Sequence, residues 1–135
     1  MIVLIDTNVI LDIFLRREPF FETSYQALHR IIERNADCYV SAAAVTDIFY
    51  ILRKNLQSKE LVKKYIGDLK QLVHFADIQE KDIDAALTAN LSDFEDAVAD
   101  AVAARLGADC ILTRNIKDFS GSHVHAITPT VFLQK

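Results

Sequence analysis

Short, mostly apolar runs alternate along this chain with longer segments whose apolar residues recur at helical spacing. Ile2-Val-Leu-Ile5 comes first, similar runs recur at 38–40, 72–76 and 109–112, and a weaker one lies at 124–127. A strand apolar on both faces must be covered on both faces, the condition of a parallel sheet buried between helices. Short strands alternating with helices imply right-handed crossovers. The expected fold is therefore α/β: three α/β/α layers around a mostly parallel central sheet of four or five short strands. Ligands of such sheets bind outside the carboxyl ends of the strands, so chemistry is sought there.

The intervening segments read as helices. Residues 22–34 put Tyr25, Leu28, Ile31 and Ile32 on one face, and 42–54 do the same with Val45, Ile48, Phe49, Ile51 and Leu52. Ser58 caps a predicted helix reaching about Leu72, while 80–90 and 93–106 continue the pattern up to a stop at Gly107. Thr128-Pro129 has the form of an N-cap followed by proline at the first helical position. With three Gly, two Pro and no linker-like stretch, residues 1–135 are expected to form one domain.

Cys38 and Cys110 each sit inside an apolar run and make no CxxC, which points to buried free thiols, a reducing compartment and no structural zinc. The N-terminus meets Asp6 at once, without a signal-peptide pattern, and no stretch is apolar enough to span a bilayer. A cytoplasmic protein is expected. The net charge of −4 excludes a generic nucleic-acid sponge unless the negative charge is concentrated where a metal neutralises it.

Four oxygen-rich elements stand at the right places. Asp6 ends the first run and is followed by Thr7 and Asn8, which open a helix; Asp is also a preferred cap. Asp47 lies in the helix after the second run among apolar neighbours, an awkward setting because Asp competes for helix-backbone hydrogen bonds. In 92–102, at about 100° per residue, Asp93, Asp96 and Asp100 fall on one stripe, with Phe94, Val98, Ala101, Val102 and Arg105 opposite. Like charges at these spacings cost roughly 0.2–0.5 kcal/mol each. The helix dipole offsets this in the first turn, where Asp93, Glu95 and Asp96 lie, but not at Asp100. Finally, Thr113, Asn115 and Asp118 follow the fourth run.

Hard oxygen donors without His or Cys suit Mg²⁺ or Mn²⁺ rather than zinc. One or two such ions could orient a water and stabilise the attacking and leaving oxygens of a phosphodiester, so the chain needs no nucleophile of its own. Arg16-Arg17, Arg53-Lys54, Arg114 and Lys117 make a basic rim conceivable, with no aromatic stacking platform visible beside them.

These residues resemble the PIN domain, the small metal-dependent nuclease domain of the VapC-type toxins of toxin–antitoxin pairs. The resemblance rests on the apolar strand ending Asp6-Thr7-Asn8, the Asp93-Phe-Glu-Asp96-Ala run closing with Gly107, Thr113-Arg114-Asn115 with Asp118-Phe119, and the closing Ile127-Thr128-Pro129. It spans nearly the whole chain. It implies that Asp6, Asp47 and Asp96 hold metal, that Asn115 takes the fourth position with Asp118 as the alternative, and that Thr113 supports them. Two departures stand out: the family's second acid is commonly Glu, here Asp47, and its fourth is often Asp, here the neutral Asn115. The resemblance further implies an RNA substrate, a homodimer and a cognate antitoxin protein.

Rival readings fare less well. An aspartyl phosphatase resembles Asp-x-Asp, and here Asn8 stands where the second Asp would be. A phosphoacceptor receiver lacks its opening acidic pair. A catalytically impaired PIN-like module that binds protein or RNA is the remaining alternative, kept alive by Asp47 and Asn115.

Overall fold

The computed structural model describes residues 1–135. Its elements are β1 (Ile2–Ile5), α1 (Thr7–Phe14), α2 (Phe21–Glu33), β2 (Asp37–Ser41), α3 (Ala42–Asn55), α4 (Lys59–Leu72), β3 (His74–Ala76), α5 (Glu80–Leu87), α6 (Phe94–Leu106), β4 (Cys110–Leu112), a 3₁₀ turn (Ile116–Phe119), β5 (Ala126–Ile127) and α7 (Pro129–Leu133). The five strands pair in the order β3-β2-β1-β4-β5, and every pairing is parallel.

The apolar runs work as double-sided strands. Val3 and Ile5 of β1, Cys38 and Val40 of β2, and Cys110 and Leu112 of β4 point into one layer, shared with α1 to α4 and with Phe132 of α7. Leu4 and Ile111 point to the other, where α6 supplies Ala103. This is period-two alternation with apolar residues in both directions, and it gives the expected three layers. Ile48 and Leu52 of α3 and Val62 and Leu69 of α4 are fully buried or nearly so. Each such side chain stabilises the fold by roughly 1.5–3 kcal/mol. Both cysteines are free and buried, and burial pushes their thiols up, to about 12 for Cys38 and about 11 for Cys110.

Helix ends follow local chemistry. The hydroxyls of Ser41, Ser58 and Thr128 accept from backbone N–H groups three residues on, and Gly107 closes α6 at φ 70°, a left-handed conformation that needs glycine's missing Cβ. Two of the runs each lose two residues as strands. Leu72 ends α4, and Val73 N–H still donates to Leu69, so β3 begins only at His74. Val124 N–H is held by a side chain of α6 instead of a strand, leaving β5 two residues.

The order of the sheet decides where function can sit. From β1 the chain first builds outward to β2 and β3, then returns to the other side for β4 and β5. The carboxyl end of β1 is thus the switch point of the sheet, where flanking loops diverge and leave a crevice.

Candidate active site

A cavity of about 770 Å³ opens at this switch point. It is lined by Asp6, Thr7 and Asn8 after β1, by Asp47 of α3, by Asp93, Glu95 and Asp96 at the start of α6, and by Asn115 and Asp118 after β4. Residues scattered from position 6 to position 118 are brought together because parallel crossovers return every strand's carboxyl end to one edge.

Asp6 is the most constrained of them. It caps α1, with Oδ1 accepting from Thr7 N–H at 2.9 Å, while Oδ2 accepts from the Thr113 hydroxyl at 2.8 Å and from Asn8 Nδ2 at 3.1 Å. Thr113 is fully buried and also accepts from Asn115 N–H at 3.1 Å, and Asn8 Oδ1 accepts from Arg114 N–H at 3.2 Å. These bonds fasten the loop after β4 to the first turn of α1. Thr113→Val keeps the shape but removes both the donor to Asp6 and the acceptor for Asn115. It is expected to cost about 1–2 kcal/mol in urea denaturation at neutral pH and to raise the Asp6 carboxyl further, because the Thr113 bond holds it down.

A second layer lies beneath. Arg114 forms a forked pair with Asp12 of α1, which is completely buried, with Nη2 to Oδ1 at 3.2 Å; the guanidinium also lies over the Phe20 ring, 4.0 Å from its centroid. Arg17 stands 3.8 Å from the same carboxylate and lines the cavity.

The cavity's charge is poorly neutralised, since Arg17 is the only cation among its lining residues. Burial, then the charges of Asp6, Asp93, Asp118 and Glu95, push the Asp96 carboxyl up to about 7. Burial raises Asp6, against its own hydrogen bonds and with a contribution from Asp118. Glu95 is raised first by the charge of Asp47 and then by burial. No three acid or imidazole side chains are gathered into a ready-made chelate. What fits a divalent ion is the donor chemistry, all oxygen, and the mutual repulsion that a cation would relieve.

A family model described as PIN domain matches residues 2–117. The chain belongs to the PIN domain family. Ribonuclease VapC1 of Aquifex aeolicus (strain VF5) is 28% identical over 141 residues, spanning 98% of this chain and 94% of that protein. Among solved structures, VapBC2 from Rickettsia felis bound to a promoter DNA fragment superposes with a TM-score of 0.77 at 16% identity, covering 95% of this chain and 98% of that one. A toxin–antitoxin complex from Klebsiella pneumoniae gives 0.73 at 21% identity, covering 94% and 97%. At such identities the structural likeness speaks for the fold.

Within this PIN domain one expectation needs correcting. Asp100 does not share the cavity with Asp93 and Asp96. It is buried on another side of α6, where its carboxylate accepts from His123 and Val124 N–H, both at 2.9 Å, and lies 3.1 Å from His123 Nδ1. Four residues on a helix advance the chain by about 6 Å, enough to carry Asp100 past the mouth and under the 121–125 loop. Phe94 and Val98, assigned to the opposite side of that stripe, do line the cavity, because it wraps the end of α6 instead of facing one stripe. Asp93 lines it too, although one of its oxygens accepts from Asp96 N–H at 3.0 Å as the helix cap.

Nothing local in the sequence marks Glu95, Asp12 or Tyr50 as residues of the site or its support. Glu95 reads as a dipole-favoured first-turn acid, yet it lines the same cavity as Asp47, whose charge is the largest influence raising its carboxyl. Asp12 reads as an ordinary helical acid, and nothing local announces its buried partner. Tyr50 and Phe94, far apart in the chain, bring aromatic surface to the cavity wall that no basic stretch of sequence displays.

Proposed function

We propose that this PIN domain, read as one unit over 1–135, is a divalent-metal-dependent endoribonuclease of the VapC type, the toxin half of a toxin–antitoxin pair. The observation that carries the proposal is the convergence of Asp6, Asp47 and Asp96 on one cavity with a single lining cation, at a cost visible in the Asp96 carboxyl held at about 7. That the substrate is RNA rests on the ribonuclease relative from Aquifex aeolicus.

In this reading Asp6, Asp47 and Asp96 hold one or two Mg²⁺ or Mn²⁺ ions, with Asn115 as a neutral oxygen donor and Asp118 as the alternative. Thr113 and Asn8 fix the rotamer of Asp6, and Thr7 N–H holds its other oxygen. Bound metal supplies charge stabilisation for attacking and leaving oxygens in in-line displacement by water. Arg17 faces the incoming phosphate from the rim. The cognate partner is an antitoxin, by likeness to the Rickettsia felis and Klebsiella pneumoniae complexes. A homodimer is proposed as the active form on the family resemblance alone. No helix is long and apolar enough to cross a membrane, and the cytoplasm is the proposed place of action.

A non-catalytic binding module is the second reading, favoured by the absence of a pre-gathered acid triad and by the short Asp47. Metal binding separates the two. Millimolar Mn²⁺ is expected to raise the melting temperature by roughly 5 °C through selective binding to the folded form, and Asp96→Asn is expected to lose that rise. A melting temperature indifferent to Mn²⁺ favours the binding module.

A further inference from the structure

We infer that the Tyr50 face of α3 is a binding track for single-stranded RNA, on which one unpaired base next to the cleaved bond stacks while Arg53 and Lys54 hold the phosphates beyond it. This rests on the ribonuclease reading and names the residues outside the acidic centre that position the strand.

The argument starts from helical spacing. Asp47 and Tyr50 of α3 both line the acidic cavity, and Arg53 and Lys54 follow Tyr50 at i+3 and i+4, which puts them next along the same face. At 1.5 Å per residue, Tyr50 lies about 4.5 Å further along the axis than Asp47, and Lys54 about 6 Å beyond that. A stacked nucleotide step is about 3.4 Å, so a strand with its scissile phosphate at Asp47 carries its neighbouring base past Tyr50.

Tyr50 is costly to leave where it is. It is 68% exposed, the most exposed aromatic ring of the chain, and Phe94 on the same cavity wall is 48% exposed. Its ring meets half-buried Phe49 at right angles, centroids 6.2 Å apart, and Phe49 packs against the main core, so the tyrosine is braced from one side only by that contact. Both cations are exposed, and neither forms an ion pair. An open aromatic face followed by free cations is the arrangement that binds single strands: every unpaired base offers a π-face, whereas bases inside an A-form duplex are already stacked and their edges poorly reachable.

The test uses a single-stranded oligoribonucleotide carrying one 2-aminopurine, titrated with the full chain in the Asp96→Asn background so that the probe is not consumed. Expected are quenching of the 2-aminopurine on binding, a loss of affinity of about tenfold or more with quenching abolished on adding Tyr50→Ala, and retention of both with Tyr50→Phe. Arg53→Gln with Lys54→Gln should weaken binding and lower its salt dependence, and the same sequence in a duplex should bind less tightly than the single strand. Unchanged binding and quenching with Tyr50→Ala would overturn the track, as would a Tyr50→Ala protein that falls from dimer to monomer in sedimentation while binding RNA as before. Tyr50-dependent binding by a wild-type protein that cleaves nothing would instead overturn the ribonuclease reading alone.

Discussion

Asp96→Asn is expected to abolish metal-dependent RNA cleavage and, at the same time, to make the metal-free protein more stable at about pH 8. The loss of activity follows from removing a charged oxygen from the proposed ligand set. The electrostatic work of such an ion is worth several kcal/mol, which corresponds to roughly a 10²–10⁴-fold fall in kcat. The gain in stability follows from the Asp96 carboxyl, pushed up from 3.8 to about 7 by burial and by its acidic neighbours. Between those values the folded state holds a proton that the unfolded state has released. This group's contribution is therefore fully present below the unfolded value and is lost as pH rises through about 7. At 1.36 kcal/mol per unit the full shift is an upper bound of about 4 kcal/mol, which discounting for solvent screening reduces to about 1–2 kcal/mol. Urea denaturation in chelator should show the variant more stable than wild type at about pH 8 and the difference gone near pH 4. Cleavage by the wild-type protein has the opposite slope, falling as pH drops below about 7, because protons then compete with metal for the same oxygens.

Arg114→Leu is expected to be the most destabilising single change near the cavity, by about 3 kcal/mol, because it strands the fully buried carboxylate of Asp12. Arg17 at 3.8 Å softens the loss without replacing a forked pair, and contact with the Phe20 ring goes as well. Combining Asp12→Leu with Arg114→Leu should recover part of the stability, since the isolated buried charge is then gone. It should not recover activity, because Thr113 and Asn115 depend on the same loop for their place beside Asp6. Equal denaturation midpoints for wild type and Arg114→Leu would show that the pair contributes nothing.

Much of this architecture is legible in the chain because its strands are apolar on both faces. Ile2–Ile5 and Cys110–Leu112 read as central strands, and once they are central and parallel, the residues just after them share an edge. Asp6 and Asn115 are visible for that reason, and Asp96 through the like-charged stripe it shares with Asp93 at the start of a helix. Asp100 shows the limit of a helical wheel, which orders side chains around an axis but ignores what is packed at each height along it. Asp12 is illegible locally, since its meaning lies in Arg114, 102 residues away. The helix dipole is a sufficient local explanation for Glu95, and it says nothing about the charge of Asp47 in the same cavity. The aromatic wall of Tyr50 and Phe94 is illegible in sequence because it is assembled from two helices and belongs to neither segment alone.

The central proposal, that these carboxylates hold the metal with which the protein cuts RNA, is tested most directly by incubating pure wild-type protein, Asp6→Asn and Asp96→Asn with single-stranded and structured RNA in chelator and in Mn²⁺. Cleavage by the wild type alone, appearing with Mn²⁺ and stopping on chelation, is the predicted result. Intact RNA in every wild-type reaction, or cleavage that survives in chelator or in folded Asp96→Asn protein, would contradict it.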